Sequence, residues 1–275
     1  MGALHFPYLA GEISAKKEFV LSELGFRFGD KGAHTSRTIM TAEIGQLIEA
    51  CPEDTQKREY ANAIEDGNIL GKSTASTRHL TFQRLSEIYG LDPSISIFRH
   101  FRAFWKLENK AGPILAVIIA LARDPLLRAT ARPVLETHTG QDVSKQDVKN
   151  SLDKDSRDRL NPDSLDKVLR NALSSWTQSG HLTGRSRKIR TRSRASPVST
   201  VFALLLGYFL GLRGPSLFDS LFARTLDLPA SELMRLAVEA NGMGLVFFKQ
   251  LGGIFEVSFD GILTSREKEL ADVSD

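Results

Sequence analysis

The stretch NPDSLDKVLRNALSSWTQSG at residues 161–180, followed by HLTGRSRKIRTRSR at 181–194, decides how the chain reads. Asn161 before Pro162 is a helix start, an N-cap followed by proline at the first helical position, and Gly180 marks the end. Between them Leu165, Val168, Leu169, Ala172 and Trp176 recur at i, i+3, i+4, i+7 and i+11, one continuous apolar stripe. Lys167, Arg170, Asn171, Ser174 and Gln178 repeat that spacing on the other side. Arg and Lys bond guanine O6 and N7, Asn and Gln bond adenine N6 and N7, and all of them reach phosphates. The spacing therefore predicts an amphipathic helix with a nucleic-acid-reading face.

Past that helix, Arg185, Arg187, Lys188, Arg190, Arg192 and Arg194 put six basic residues in ten. A helix followed by a basic hairpin or arm reads as a helix-turn-helix with a wing. From Lys167 to Phe218 the chain has nine Lys or Arg and no Asp or Glu, whereas the rest has 27 basic and 33 acidic residues. The alternative is a solvated polar helix followed by a flexible basic loop. A solvated face usually mixes both signs in i,i+4 pairs, and this one lacks them, so a polyanionic partner is expected.

The 275 residues suit two modules, and 41% hydrophobic with 25% charged residues excludes a disordered or fibrous chain. The single cysteine, Cys51, permits no internal disulfide and fits a reducing compartment, so a cytoplasmic protein is expected. Met1–Ala10 lacks the character of a secretory signal. The apolar stretches Ile114–Ala122 and Val198–Leu212 fall short of the roughly 20 residues of a spanning helix and read as buried core helices, so no membrane is expected.

Along the chain the pattern is helical. Helices are expected at Thr41–Ala50, ending at Cys51-Pro52, at Glu53–Glu65, up to Tyr89 before Gly90, at Phe98–Leu107, at Ile114–Ala122 and at Leu126–Glu136. Further helices are expected at Phe202–Leu212, Leu217–Ala223 and Ala230–Ala240, then a hairpin of Leu245–Phe248 with Ile254–Phe259. Thr264–Asp275 reads as a frayed tail. The fold class is mainly α, a two-part helical protein with helix-turn-helix elements, the C-terminal one winged by short hairpins. Residues 1–140 form an N-terminal helical bundle with a candidate helix-turn-helix. Residues 141–162, rich in charge and without aromatics, form a linker, and 163–275 form the helix-turn-helix or winged-helix-like domain with the basic arm.

A second anion contact is expected at Lys72, Ser73, Thr74 and Arg78, where hydroxyls and basic residues precede a helix whose amides and dipole favour negative charge. Ordinary capping accounts for the hydroxyls equally well. Gly71-Lys72-Ser73 is not a phosphate-binding loop of the nucleotide type, because Gly67 and Gly71 are separated by three residues where four are needed. The histidines at 5, 34, 79, 100, 138 and 181 show no ligand spacing, and no nucleophile or carboxylate pairing is legible. No metal, cofactor or catalytic residue is expected, and Trp105 and Trp176 read as core.

ALARDPLLR at residues 120–128, with SWTQSG at 175–180 and the basic arm behind it, resembles the BrxA family of bacteriophage-exclusion (BREX) defence systems. The resemblance runs from about Ser14 to Phe259. It implies a mainly helical, non-enzymatic protein with helix-turn-helix elements and affinity for double-stranded DNA, working beside methyltransferase, ATPase or phosphatase partners. It also implies partial likeness to the antitermination factor NusB, which keeps RNA binding open; a protein-only assembly adaptor for BREX partners is the other alternative.

Overall fold

The computed structural model describes residues 14–156, 160–251 and 254–273. It is mainly helical. In chain order the helices are α1 (Ala15–Leu24), α2 (Thr41–Ala50), α3 (Lys57–Glu65), α4 (Ala75–Tyr89), α5 (Ser96–Leu107), α6 (Gly112–Arg123), α7 (Pro125–Ala129), α8 (Ala131–Leu135), α9 (Lys145–Ser156), α10 (Pro162–Gln178), α11 (Pro197–Phe209), α12 (Leu221–Arg224), α13 (Ala230–Gly242) and α14 (Ser265–Val273). The strands are β1 (Leu182–Thr183) with β2 (Ile189–Arg190), and β3 (Phe247–Leu251) with β4 (Ile254–Ser258), both pairs antiparallel. Among the described residues no helix is long and apolar enough to cross a membrane.

The chain divides into two compact units: Arg27–Ser193, and the described part of Met1–Phe26 joined to Arg194–Asp275. The expected division at 141–162 is therefore displaced. In the first unit α6 is buried on every side, as a helix without a polar face must be. The aromatic face of α5 packs inward: Phe101 stacks on Tyr89 with centroids 5.2 Å apart and meets Trp105 edge-on at 5.5 Å. Leu126–Glu136, expected as one helix, breaks at Thr130 into α7 and α8. Pro133 lacks the amide that would hold Ala129 O, and Ser151 Oγ donates to that carbonyl instead, at 2.7 Å.

The expected linker is mostly structure. Residues 140–143 pair with β2, and α9 packs against α7, α8 and α10. Charge dominates its composition, yet Val143, Val148 and Leu152 are all buried. Val148 and Leu152 on α9, with Val143 just before it, suffice to seat a helix that composition alone assigns to solvent.

In the second unit α11 is buried and packs on α12 and α13, while α1 packs on α14. Phe26 meets the Phe222 ring at 6.2 Å, and Phe218 meets Phe248 edge-on at 6.0 Å. The expected C-terminal hairpin is β3–β4, with Phe247 opposite Ser258 and Leu251 opposite Ile254. The expected frayed tail is instead α14: Glu267 Oε2 accepts bonds from Thr264 N at 2.9 Å and Thr264 Oγ1 at 3.0 Å, and Leu270 and Ala271 are buried. That reciprocal cap is the signal the charged composition hid.

Leu152→Ala separates a packed α9 from a linker. Urea unfolding should show a loss of about 2–5 kcal/mol, the range for truncating a buried leucine; a change within about 0.5 kcal/mol, usual for exposed sites, would return 141–162 to a linker.

Candidate nucleic-acid interface

α9 packs against α10, and beside them residues 140–143 and β1 flank β2 in a small ribbon whose β1–β2 hairpin stands in the place of the expected wing. β2 lies between the other two strands. Gly140 N donates to Arg190 O, Arg190 N to Gln141 O and Val143 N to Lys188 O, each at 2.8 Å, while β1 pairs with β2 on its other edge. Asn161 caps α10 by accepting Ser164 N at 2.8 Å, with Pro162 in the first turn. The wing turns at Gly184, where φ is +87° and a Cβ would lie 2.2 Å from Arg187 O, so only glycine fits.

The buried side of α10 is the expected stripe, with Trp176 at its centre, donating from Nε1 to Thr130 Oγ1 at 2.8 Å. The expected reading face divides. Lys167 and Arg170 are exposed and Ser174 half-buried. Asn171 and Gln178 are turned to other work: Asn171 Nδ2 donates to His34 O at 2.8 Å, Gln178 Nε2 donates to Thr38 Oγ1 at 2.9 Å, and Gln178 Oε1 accepts Thr41 N at 3.2 Å. These two amides fasten the 34–41 segment to α10, and neither is presented to bases.

The basic arm also divides. Arg185 and Arg187 lie exposed in the wing, where Arg187 Nε meets Asp142 Oδ2 at 2.7 Å. Lys188 Nζ donates to Thr177 Oγ1 at 3.0 Å and Gly184 O at 2.8 Å, drawing the wing against the end of α10. Partial burial, and after it the charge of Lys145, hold the Lys188 ammonium below the usual lysine range. Arg190 is buried, with Nε donating to Val134 O at 3.0 Å and Nη1 to His181 O at 3.2 Å, so it is a structural clamp and no phosphate contact. Arg192 and Arg194 are exposed beyond β2, Arg192 in the first unit and Arg194 in the second.

At the second expected contact, Lys72 Nζ pairs with Glu43 Oε1 at 2.9 Å, Thr74 caps α4 by accepting Thr77 N at 3.1 Å, and Ser73 is exposed. Arg78 is half-buried, and its Nε has no hydrogen-bond partner among the described residues.

Sequence spacing gave no hint of the cluster beneath α10. His34 Nδ1 lies 2.8 Å from Asp124 Oδ2, and His34 Nε2 lies 2.8 Å from Ser175 Oγ. This is the connectivity of an acid–base–nucleophile triad, with all three side chains buried. Ser175 Oγ also accepts Ile39 N at 3.0 Å and lies 2.9 Å from Asn171 O. Asp124 additionally caps α7, accepting Leu126 N at 3.0 Å and Leu127 N at 3.2 Å, and accepts His34 N at 3.2 Å. Burial alone would raise the Asp124 carboxyl; the charge of His34, its ring hydrogen bond and the amides of Leu127 and His34 outweigh that and leave it below the usual carboxylate range. Gly32 makes room for this carboxylate, since a Cβ there would lie 2.1 Å from Asp124 Oδ1.

Among the described residues no group of three His, Cys, Asp or Glu is placed to hold a metal ion. No protein-family model matches the chain, and no curated protein matches it either.

A carboxyl depressed in the folded state supplies stability above its unfolded value of about 3.9, and loses it as pH falls through the folded value. Unfolding midpoints should therefore drop below about pH 4, and Asp124→Asn should flatten that acid limb while lowering the midpoint at pH 7. An unchanged acid limb would contradict the role given to Asp124. Gly32→Ala should cost on the order of 1–3 kcal/mol by chemical denaturation, the usual effect of overpacking; a neutral outcome would contradict the close approach.

Proposed function

We propose that the chain is a non-enzymatic protein that binds duplex DNA through the wing and the exposed edge of α10. The observation that carries this reading is the α9–α10 pair followed by the β1–β2 hairpin, read here as a winged helix-turn-helix, with Lys167 and Arg170 on its helix and Arg185, Arg187 and Lys188 on its wing. The charges lie on elements that other folds of this kind lay along a groove. Lys145 and Lys188 repel one another across the wing, and an anion relieves that repulsion. The Arg187–Asp142 pair is exposed and worth at most about 1 kcal/mol, so a phosphate displaces it at little cost.

With Asn171 and Gln178 withdrawn from the face, affinity comes mainly from phosphates and sequence choice is weak. Arg192 extends the contact beyond the wing, Arg194 is a contact of its own in the other unit, and Lys72, Ser73, Thr74 and Arg78 add a second backbone contact. The resemblance to the BrxA family adds BREX methyltransferase, ATPase or phosphatase components as partners in the cytoplasm.

Fluorescence anisotropy against salt tests the reading. With about four phosphates neutralised, log K should fall with log salt at a slope of roughly −3.6, and each contacting arginine among Arg185, Arg187 and Arg192 changed to Ala should remove about 0.9 from it. Arg190→Ala should instead lower stability, by about 1–3 kcal/mol for stranded carbonyls. A flat salt dependence, or tighter binding to matched RNA than to duplex DNA, would contradict the proposal.

A further inference from the structure

Between the 36–38 segment, α4 and the middle of α10 lies a pocket of about 240 Å³. Its lining comes from three separate stretches of the chain, 36–43, 72–81 and Asn171 on α10, with Ser36, Arg37, Thr38 and Lys72 among its polar groups. Ser36 Oγ is shut off from solvent and has no hydrogen-bond partner among the described residues, a costly state for a hydroxyl. Thr38 Oγ1 accepts Gln178 Nε2 at 2.9 Å and Met40 N at 3.3 Å, which leaves its proton to donate. Arg37 uses Nη1 on its neighbour's carbonyl, Ser36 O, at 3.0 Å, and its fork retains further donors. The carboxylate in the lining, Glu43, is neutralised by Lys72 at 2.9 Å, so the pocket keeps one net positive charge from Arg37.

The backbone that shapes the pocket is held under constraint. Met40, in its wall, sits in the left-handed region at φ 49°, ψ 51°, a conformation that costs a non-glycine residue on the order of 1–3 kcal/mol. Its neighbours hold it there: Ile39 N donates to Ser175 Oγ, Tyr89 Oη donates to Ile39 O, and Thr41 N donates to Gln178 Oε1. Stacked hydroxyls, a positive charge and an imposed backbone make a built recess for a small tetrahedral anion.

We infer that this pocket is a phosphate subsite, and, resting on the duplex-binding reading above, that it seats one backbone phosphodiester beside Lys72. Arg37 and Thr38 donate to its oxygens, and Ser36 joins them by turning its hydroxyl into the pocket. Lys72 then shares its charge between Glu43 and the anion. The subsite thus enlarges the Lys72–Arg78 contact with groups from the 36–38 segment.

Two arms test it, with Ser36→Ala and Arg37→Ala beside the wild type. In the first, thermal unfolding is followed in inorganic phosphate and in chloride at equal ionic strength. Phosphate should raise the wild-type midpoint by several degrees and both variants by much less, while in chloride Ser36→Ala unfolds no earlier than wild type because the hydroxyl it removes bonds nothing. In the second, duplex binding is titrated with salt, and Arg37→Ala should reduce the slope by about 0.9, one phosphate. No phosphate-specific shift, or one that survives in both variants, overturns the subsite whatever the duplex does. An Arg37-dependent phosphate shift with unaltered duplex binding overturns the backbone assignment and leaves free phosphate as the ligand. The same shift in a wild type that binds no duplex overturns the DNA reading and spares the pocket.

Discussion

One buried carboxylate, Asp124, organises the unit that carries the candidate interface. It ends α6, caps α7, and holds His34 through both ring and backbone, and His34 in turn reaches Ser175 on α10. A charge this deep is tolerable only because every lone pair it presents is matched by a donor. The same motif supplies a second fastener: Arg128 is buried, with Nε on Leu121 O at 2.7 Å and Nη2 on Ala122 O at 2.8 Å and Arg27 O at 2.7 Å. The charged residues of ALARDPLLR are thus interior joinery.

The consequence for α10 is a helix fixed on three sides. Trp176 anchors it to Thr130, Ser175 to His34, and Asn171 and Gln178 to the 34–41 segment. What remains exposed is the Lys167–Arg170 edge, continuous through Thr177 with the wing by way of Lys188. Such an element offers charge at a fixed spacing and few base-reading amides. On the proposed reading it holds a duplex more than it chooses a sequence.

Periodicity revealed whatever depended on neighbours along one helix. The apolar stripe of α10, the stop at Gly90, the inward aromatics of α5 and the short C-terminal hairpin are all local patterns, and the structure contains them. What the sequence hid is non-local. The boundary expected at 141–162 failed because Val148 and Leu152 are few but well placed, and the second unit is assembled from both ends of the chain, which no window of sequence records. Helical spacing put Asn171 and Gln178 on the polar side, where they indeed lie, yet their partners sit more than a hundred residues earlier. Arg190 read as one more basic residue of an arm, and only the pairing of 140–143 with β2 shows why it is buried. The pocket at Ser36 and Arg37 draws on three distant segments, so spacing carried no trace of it.

Amide hydrogen exchange with and without a short duplex at low salt tests the central claim, that the wing and the exposed edge of α10 form the DNA-contacting surface. Slowed exchange should concentrate at 166–174 and 182–192, with a second protected stretch at 36–41, while β3 and β4 exchange as before. Protection confined to the other compact unit, or no change anywhere under conditions where the duplex is bound, would contradict it.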